Sequence, residues 1–279
     1  MLHDHHHGEV PAARLIARAI VGAALLLLAA CGAPSDGPTG QDGGSDGPAA
    51  TSTETASVDL ASADLWLAFE DSEASSEGTT EFPDAVGGDV VARVVSANGG
   101  RVEIVEGVGG TGSAIAFPPL CTGDAGCPRA MVEVESDPAL EPGEDPFAFG
   151  ATVWLAPEDT TTGSNIVQKG RFATDGGLWK LQVDDEEGHP SCVLRSGDTL
   201  LRVRSEVTVA DSSWHRVVCS RDADGISIDV DGVEDREDGT LGSVDSEWPI
   251  RVGSPGVGDD DDQFHGRVDD VFLRLLPPT

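Results

Sequence analysis

The chain has 279 residues, with 50 acidic side chains against 17 basic ones and a formal charge of −33 at pH 7. Phosphate binding needs clustered Lys and Arg, so this balance argues against nucleic acid as a partner and against electrostatic docking on an anionic membrane. With 39% hydrophobic and 24% charged residues the chain can build a core, and its length allows one large β domain or two small ones.

The first segment, 1–31, reads as export signal rather than fold. A His-rich start leads to Arg14 and Arg18 and then to an apolar run over 19–30. Twelve residues cannot cross about 30 Å of hydrocarbon, but they suit the core of a signal peptide. The run ends in Leu28-Ala29-Ala30-Cys31-Gly32, which resembles the lipobox of bacterial lipoproteins. That resemblance implies that Cys31 is lipidated and becomes the mature N-terminus. It also implies a lipid anchor at the bacterial envelope, with the rest of the chain outside the cytoplasm. The His tract precedes the cleavage point and would be absent from the mature protein.

Residues 32–56 hold no Val, Ile, Leu or aromatic side chain, only small, polar and acidic residues with Gly and Pro. Nothing there offsets the entropy of ordering, so the segment is expected to be a flexible tether with a root-mean-square span of roughly 25–30 Å. It carries four acids and no base, whereas 57–279 carries 44 acids against 15 bases. The acidity therefore belongs to the domain that follows and not to a detachable tail.

From Val58 onward, alternation and β-branched runs replace any 3.6-residue period. Strands are expected over 65–69, 90–95, 101–105, 113–117, 131–135, 148–155 and 165–169. Further strands are expected over 178–183, 191–195, 200–205, 215–220, 226–230, 250–253 and 267–275. Turn signals separate them, among them Asn98-Gly99-Gly100, Asp224-Gly225 and Asp231-Gly232. Many short strands without a linker-like gap describe one all-β domain over 57–279, a two-sheet antiparallel jelly-roll sandwich.

Six pieces in order sharpen this. They are Asp64-Leu65-Trp66-Leu67-Ala68-Phe69-Glu70, the run 147–155 ending in Trp154-Leu155, and Ile166-Val167-Gln168-Lys169-Gly170. Ser213-Trp214-His215, Asp229-Val230-Asp231-Gly232 and Gly266-Arg267-Val268-Asp269-Asp270-Val271 follow. Together the sequence resembles the laminin-G-like, concanavalin A-like lectin/glucanase superfamily across essentially all of 60–276. The resemblance implies the sandwich, but that fold hosts lectins, adhesion modules and glycosidases alike, so it does not imply one function.

Four cysteines lie beyond Cys31, and an exported, even-numbered set argues for disulfides. Of three possible connectivities, Cys121–Cys127 closes a short loop, and Cys192–Cys219 joins two predicted strands. That pairing is expected. A zinc site would need tighter ligand pairs than Cys121 and Cys127 supply.

Gly107, Gly109 and Gly112 match a dinucleotide-binding spacing, but an apolar strand and Pro118-Pro119 follow instead of a helix, so they read as a glycine-rich turn. No Glu-x-Asp-x-Glu strand is present, and Glu133 with Glu135 reads as a solvated strand face. His215 reads as a packed or hydrogen-bonded strand histidine, because no nucleophile motif accompanies it, and no catalytic residue is assigned. In the last strand Val268, Asp270 and Phe272 alternate with Asp269, Val271 and Leu273, so one Asp must face inward and needs a partner. The family resemblance implies a structural Ca²⁺ held by Glu70 and Asp269; the alternative is an ion pair of the aspartate with Arg267 or Arg251. The acidic run 259–262 is a second candidate for a cation. Trp179 and Trp248 are candidate platforms for a sugar ring.

The expected function is a surface-anchored, non-catalytic binding or adhesion module for an extracellular glycan or protein, with a monomer expected. The alternatives are a glycoside-active enzyme without the usual carboxylate pair, or a structural envelope protein.

Overall fold

The structure, a computed structural model, describes residues 59–70, 81–123, 126–171, 176–259 and 261–277. The signal segment, Cys31 and the tether over 32–56 lie outside the described residues. Among the described residues sixteen strands follow in chain order. They are β1 (Leu65–Leu67), β2 (Glu81–Pro83), β3 (Val91–Ala97), β4 (Glu103–Glu106), β5 (Ser113–Ala116), β6 (Arg129–Val134), β7 (Phe147–Trp154) and β8 (Asn165–Lys169). The second half supplies β9 (Leu178–Val183), β10 (Pro190–Ser196), β11 (Thr199–Arg204), β12 (Trp214–Arg221), β13 (Gly225–Val230), β14 (Val233–Asp238), β15 (Ile250–Val252) and β16 (Arg267–Leu275). Among the described residues the only helical turns are four of 3-10 type.

The strands form two antiparallel sheets. The first runs β14-β13-β12-β7-β16-β5-β4, with β1 also paired to β16; the second runs β11-β10-β9-β8-β15-β6-β3-β2. Alternation explains which side chains meet between them. In β9, Trp179, Leu181 and Val183 join the core while Lys180 and Gln182 take the opposite face. Phe149 from the first sheet lies 4.6 Å from Trp179, and Phe147 stacks on Phe149 at 5.6 Å. Such rings supply much of the apolar area removed from water, which is what drives two sheets together. The Cys192–Cys219 disulfide ties β10 to β12, one strand from each sheet, through this core. Cys121–Cys127 closes the loop between β5 and β6.

Two strands escaped the sequence reading. β14 is Val-Glu-Asp-Arg-Glu-Asp, an edge strand exposed along nearly its whole length, so no apolar face marks it. Its only signal is the Asp231-Gly232 turn, whose two positive φ angles of 53° and 88° match the twist of a two-residue hairpin. β2 is three residues long and ends at Pro83, a residue confined to sheet edges.

Strict alternation also fails in β16. The register shifts between Asp269 and Phe272, with Asp270 at φ 48°, so Val268 and Val271 both enter the core. A bulge of this kind inserts one residue and reverses the faces beyond it. Both aspartates therefore sit at the bulge, not on two opposite faces of a regular strand.

Candidate functional site

Three polar regions stand out. The first is the bulge in β16. Asp269 is buried, and one of its carboxylate oxygens accepts the Asp270 N–H at 2.8 Å. Asp270 in turn accepts the Trp66 indole N–H at 2.8 Å, which pins β1 to β16. Glu70 follows β1 and accepts the Ser113 N–H at 3.1 Å. The Gly107–Gly112 loop closes over this corner. A Cβ at Gly112, where φ is 65°, would overlap the Glu70 carboxylate, and one at Gly107 would lie 3.2 Å from Asp269 Oδ2. The glycine spacing thus serves close backbone approach to two carboxylates rather than to a phosphate.

Burial first, and then the neighbouring charges of Asp270 and Glu70, push the Asp269 carboxyl up to about 7. The arginines expected as alternative partners are elsewhere: Arg267 lies over the Trp154 ring, and Arg251 pairs with Glu133 at 2.9 Å. A buried carboxylate among like charges, with no cationic side chain on it among the described residues, is a donor set that fits a hard cation.

The second region is the outer face of the second sheet. The pairings align one residue from every strand into a single row: Glu81, Arg93, Glu133, Arg251, Gln168, Lys180, Val193 and Arg202. Arg93 pairs with Glu81 and Glu135, Arg251 with Glu133, and Arg202 with Asp184. Glu133 of β6 and Glu135 just beyond it thus each meet an arginine, where their spacing suggested only a solvated strand face. Gln182 lies beside this row and donates to Asp184 at 2.8 Å.

At the rim of that face lies a cleft of about 630 Å³, bounded by Ser136, Glu141, Asp245, Glu247 and Trp248 among others. Trp248 carries the Arg171 and Arg251 guanidinium groups over its ring, at 4.9 and 5.4 Å, while its carbonyl accepts from the buried Lys169 at 2.7 Å. The other proposed platform must be withdrawn. Trp179 is only 1% exposed and packs against Phe147 and Phe149, so no ligand can stack on it. Its position in the alternation with Leu181 and Val183 already carried that signal.

The third region, absent from the sequence reading, is the turn between β9 and β10. Asp185, Glu187 and His189 there bring ligand atoms within 4.8 Å of one another. Asp185 is engaged by His189 Nδ1 at 3.1 Å and by Arg204 at 2.8 Å. In the acidic loop, the described residues Asp259 and Asp261 are instead engaged by protein contacts, although Asp259 and Asp262 stay exposed. Arg129 donates to the carbonyls of Asp259 and Asp261, and Asp261 Oδ2 accepts the Gly258 N–H at 2.7 Å.

His215 takes a structural part. Its Nδ1 lies 2.7 Å from Asp231 Oδ2 and its Nε2 2.9 Å from Asp211 Oδ1. Burial lowers its proton affinity, but the two carboxylates outweigh burial and raise it above the usual histidine value.

With fold and sites described, the chain's relationships follow. It belongs to the concanavalin A-like lectin/glucanases superfamily, whose laminin-G-type model matches residues 134–273. No curated protein matches the sequence. Among solved structures, the binding domain of Paraclostridial Mosquitocidal Protein 1 is similar at a TM-score of 0.56 and 14% identity, over 78% of this chain and 51% of that one. Domain 4 of AbnA, a GH43 extracellular arabinanase from Geobacillus stearothermophilus in complex with arabinotriose, is similar at 0.55 and 14%, over 77% of this chain and 93% of that one. The binding domain of Botulinum Neurotoxin DC in complex with SialylT is similar at 0.54 and 12%, over 78% and 50%. The chain spans about half the length of the toxin binding domains, and at these identities the likeness is one of fold.

Proposed function

We propose that the chain is a surface-anchored, non-catalytic binding module for an extracellular glycan or protein. The observation that carries this reading is the outer face of the second sheet, where a row that is polar at every strand but β10, which contributes Val193, crosses all eight strands beside the cleft at Trp248. Convergent polar groups next to a concavity are the usual make-up of a ligand site. The neighbours support it, since the arabinanase domain is in complex with arabinotriose and the neurotoxin binding domain with SialylT.

In this reading Cys31 carries the lipid and 32–56 spaces a monomeric domain from the membrane. The two disulfides suit the oxidising side of that membrane. Glu70 and Asp269 would hold Ca²⁺, which would neutralise their shared charge and brace β1, the glycine loop and β16.

A glycan array probed with the purified protein, with and without Ca²⁺, tests the binding reading, and specific retention of a glycan class is the expected result. Release of reducing sugar from any bound polysaccharide would overturn the non-catalytic part. Anchoring is tested separately: Cys31→Ala should abolish labelling by radioactive fatty acid.

A further inference from the structure

The cleft at Trp248 has a neighbour. A second cavity of about 390 Å³ is bounded by Asp89, Val91, Arg93, Glu135 and Asp137 among others, and Ser136 lines both, so the two adjoin at that residue. A cavity of this order suits a drug-sized molecule, and two side by side suit an oligomer. The cations nearby are already engaged. Lys169 meets Glu141, Ser136 and the Trp248 carbonyl, and Arg93 meets Glu81 and Glu135. Arg221, on which the charge of Asp245 acts, donates to the carbonyls of Gly143 and Leu241. Among the described residues no Lys or Arg lines the larger cleft.

The carboxylates are engaged less completely. Glu141 uses both oxygens, on Lys169 and on the Ser246 N–H. Asp245 accepts the Gly143 N–H at 2.6 Å with one oxygen, and among the described residues nothing hydrogen-bonds to the other. Glu247 in the larger cavity and Asp89 in the smaller are exposed, and among the described residues no hydrogen bond or ion pair engages either side chain. The junction offers a donor. Lys169 Nζ donates to Ser136 Oγ at 2.9 Å, and an ammonium accepts nothing, so the exposed Ser136 hydroxyl keeps its own proton for a ligand. The cavities sit where β3, β6 and β15 begin or end, and each of these strands is paired on both sides. Strand addition by a peptide is therefore closed, which leaves a ligand read through its own hydroxyls and charges.

We propose that the two cavities form one groove for an oligosaccharide with free amino groups on successive rings, of the de-N-acetylated hexosamine class. Glu247 and Asp245 receive ammonium groups in the larger cavity and Asp89 receives one in the smaller, through charge-assisted hydrogen bonds. The Ser136 hydroxyl donates to a sugar oxygen at the junction. N-acetylation removes the charge that these carboxylates recognise. The domain's excess of acid draws a polycation towards the groove and repels a polyanion. The inference rests on the binding-module reading and gives it a ligand class.

The test is calorimetric titration of the purified protein with the disaccharide and tetrasaccharide of chitosan, each beside its fully N-acetylated counterpart, and with tetralysine. The amine-bearing tetrasaccharide should bind roughly tenfold or more tightly than the acetylated one, and added salt should weaken only the former. Glu247→Gln should weaken both amine-bearing chains severalfold, whereas Asp89→Asn should weaken the tetrasaccharide more than the disaccharide. Both substitutions fall on exposed side chains, and thermal melting checks that the variants fold. Equal affinity for amine-bearing and acetylated chains, a preference that survives Glu247→Gln, or tetralysine binding as tightly as the tetrasaccharide overturns the ligand class. Unchanged tetrasaccharide affinity in Asp89→Asn overturns the joining of the two cavities. If no amine-bearing chain binds while the array retains another glycan, this site assignment fails and the binding module stands. If nothing binds in either experiment, both fall.

Discussion

Lys169 Nζ lies 2.8 Å from Glu141 Oε1, and the lysine side chain is 0% exposed while the glutamate is 18% exposed. Ser136 Oγ and the Trp248 carbonyl accept its remaining protons at 2.9 and 2.7 Å. The lysine of the Val-Gln-Lys-Gly motif is therefore a fully satisfied buried cation that binds β8 to the loop before β15 and to the wall of the cleft.

Breaking that pair should cost far more than replacing it. Glu141→Gln leaves a buried ammonium without its counter-ion and should destabilise by about 3 kcal/mol. Lys169→Met combined with Glu141→Leu should cost less than the single change. Urea unfolding of the three proteins measures the order, and a milder effect for Glu141→Gln alone would contradict it.

The disulfides differ in what they close. Cys192–Cys219 spans 27 residues and Cys121–Cys127 only 6. On chain-entropy grounds the first should contribute about 3.5 kcal/mol and the second about 2 kcal/mol. Paired Cys→Ala variants, compared by denaturant midpoint, should show the larger loss for the inter-sheet bond, which also vacates core volume.

The contribution of the His215–Asp211 pair should be greatest between about pH 4 and 6.5 and fall on both sides. His215 has a raised proton affinity in the folded chain, burial being outweighed by Asp211 and Asp231. Its contribution is therefore complete below an unfolded value near 6.5 and is lost as pH rises through the higher folded value. Asp211 is depressed, chiefly by its hydrogen bond to His215, so its contribution is present above about 4 and lost as pH falls below that. Thermal melts of His215→Gln should show a shallower alkaline decline than the parent, the remainder coming from ionisation of the buried Asp269, whose carboxyl is pushed up to about 7.

Calcium should act through Asp269. Millimolar Ca²⁺ is expected to raise the melting temperature of the parent by relieving repulsion among Asp269, Asp270 and Glu70. Asp269→Asn should melt higher than the parent in chelator and respond little to the ion. A calcium response of full size in that variant would place the cation elsewhere.

Much of this was local and hence readable in one dimension. Alternation of apolar residues marks fourteen of the sixteen strands, and Asp231-Gly232 marks its hairpin, because side-chain period and turn geometry depend only on near neighbours in sequence. The strands missed, β2 and β14, lie at sheet edges, where no buried face imposes a pattern. The bulge that sets Asp269 and Asp270 was invisible, because an inserted residue changes the faces without changing composition.

By itself the sequence determined the all-β sandwich, the order of most of its strands along the chain and the excess of negative charge, while the cysteine pairing it favoured was fixed only by the fold. Only the tertiary structure decided which charges are spent. Register between strands far apart in sequence brought Arg251 to Glu133, loop packing brought Glu141 to Lys169, and the Asn165 amide was left buried without a partner among the described residues. Ion pairing and desolvation depend on distances of a few ångströms between residues up to 118 positions apart, and no linear pattern encodes those.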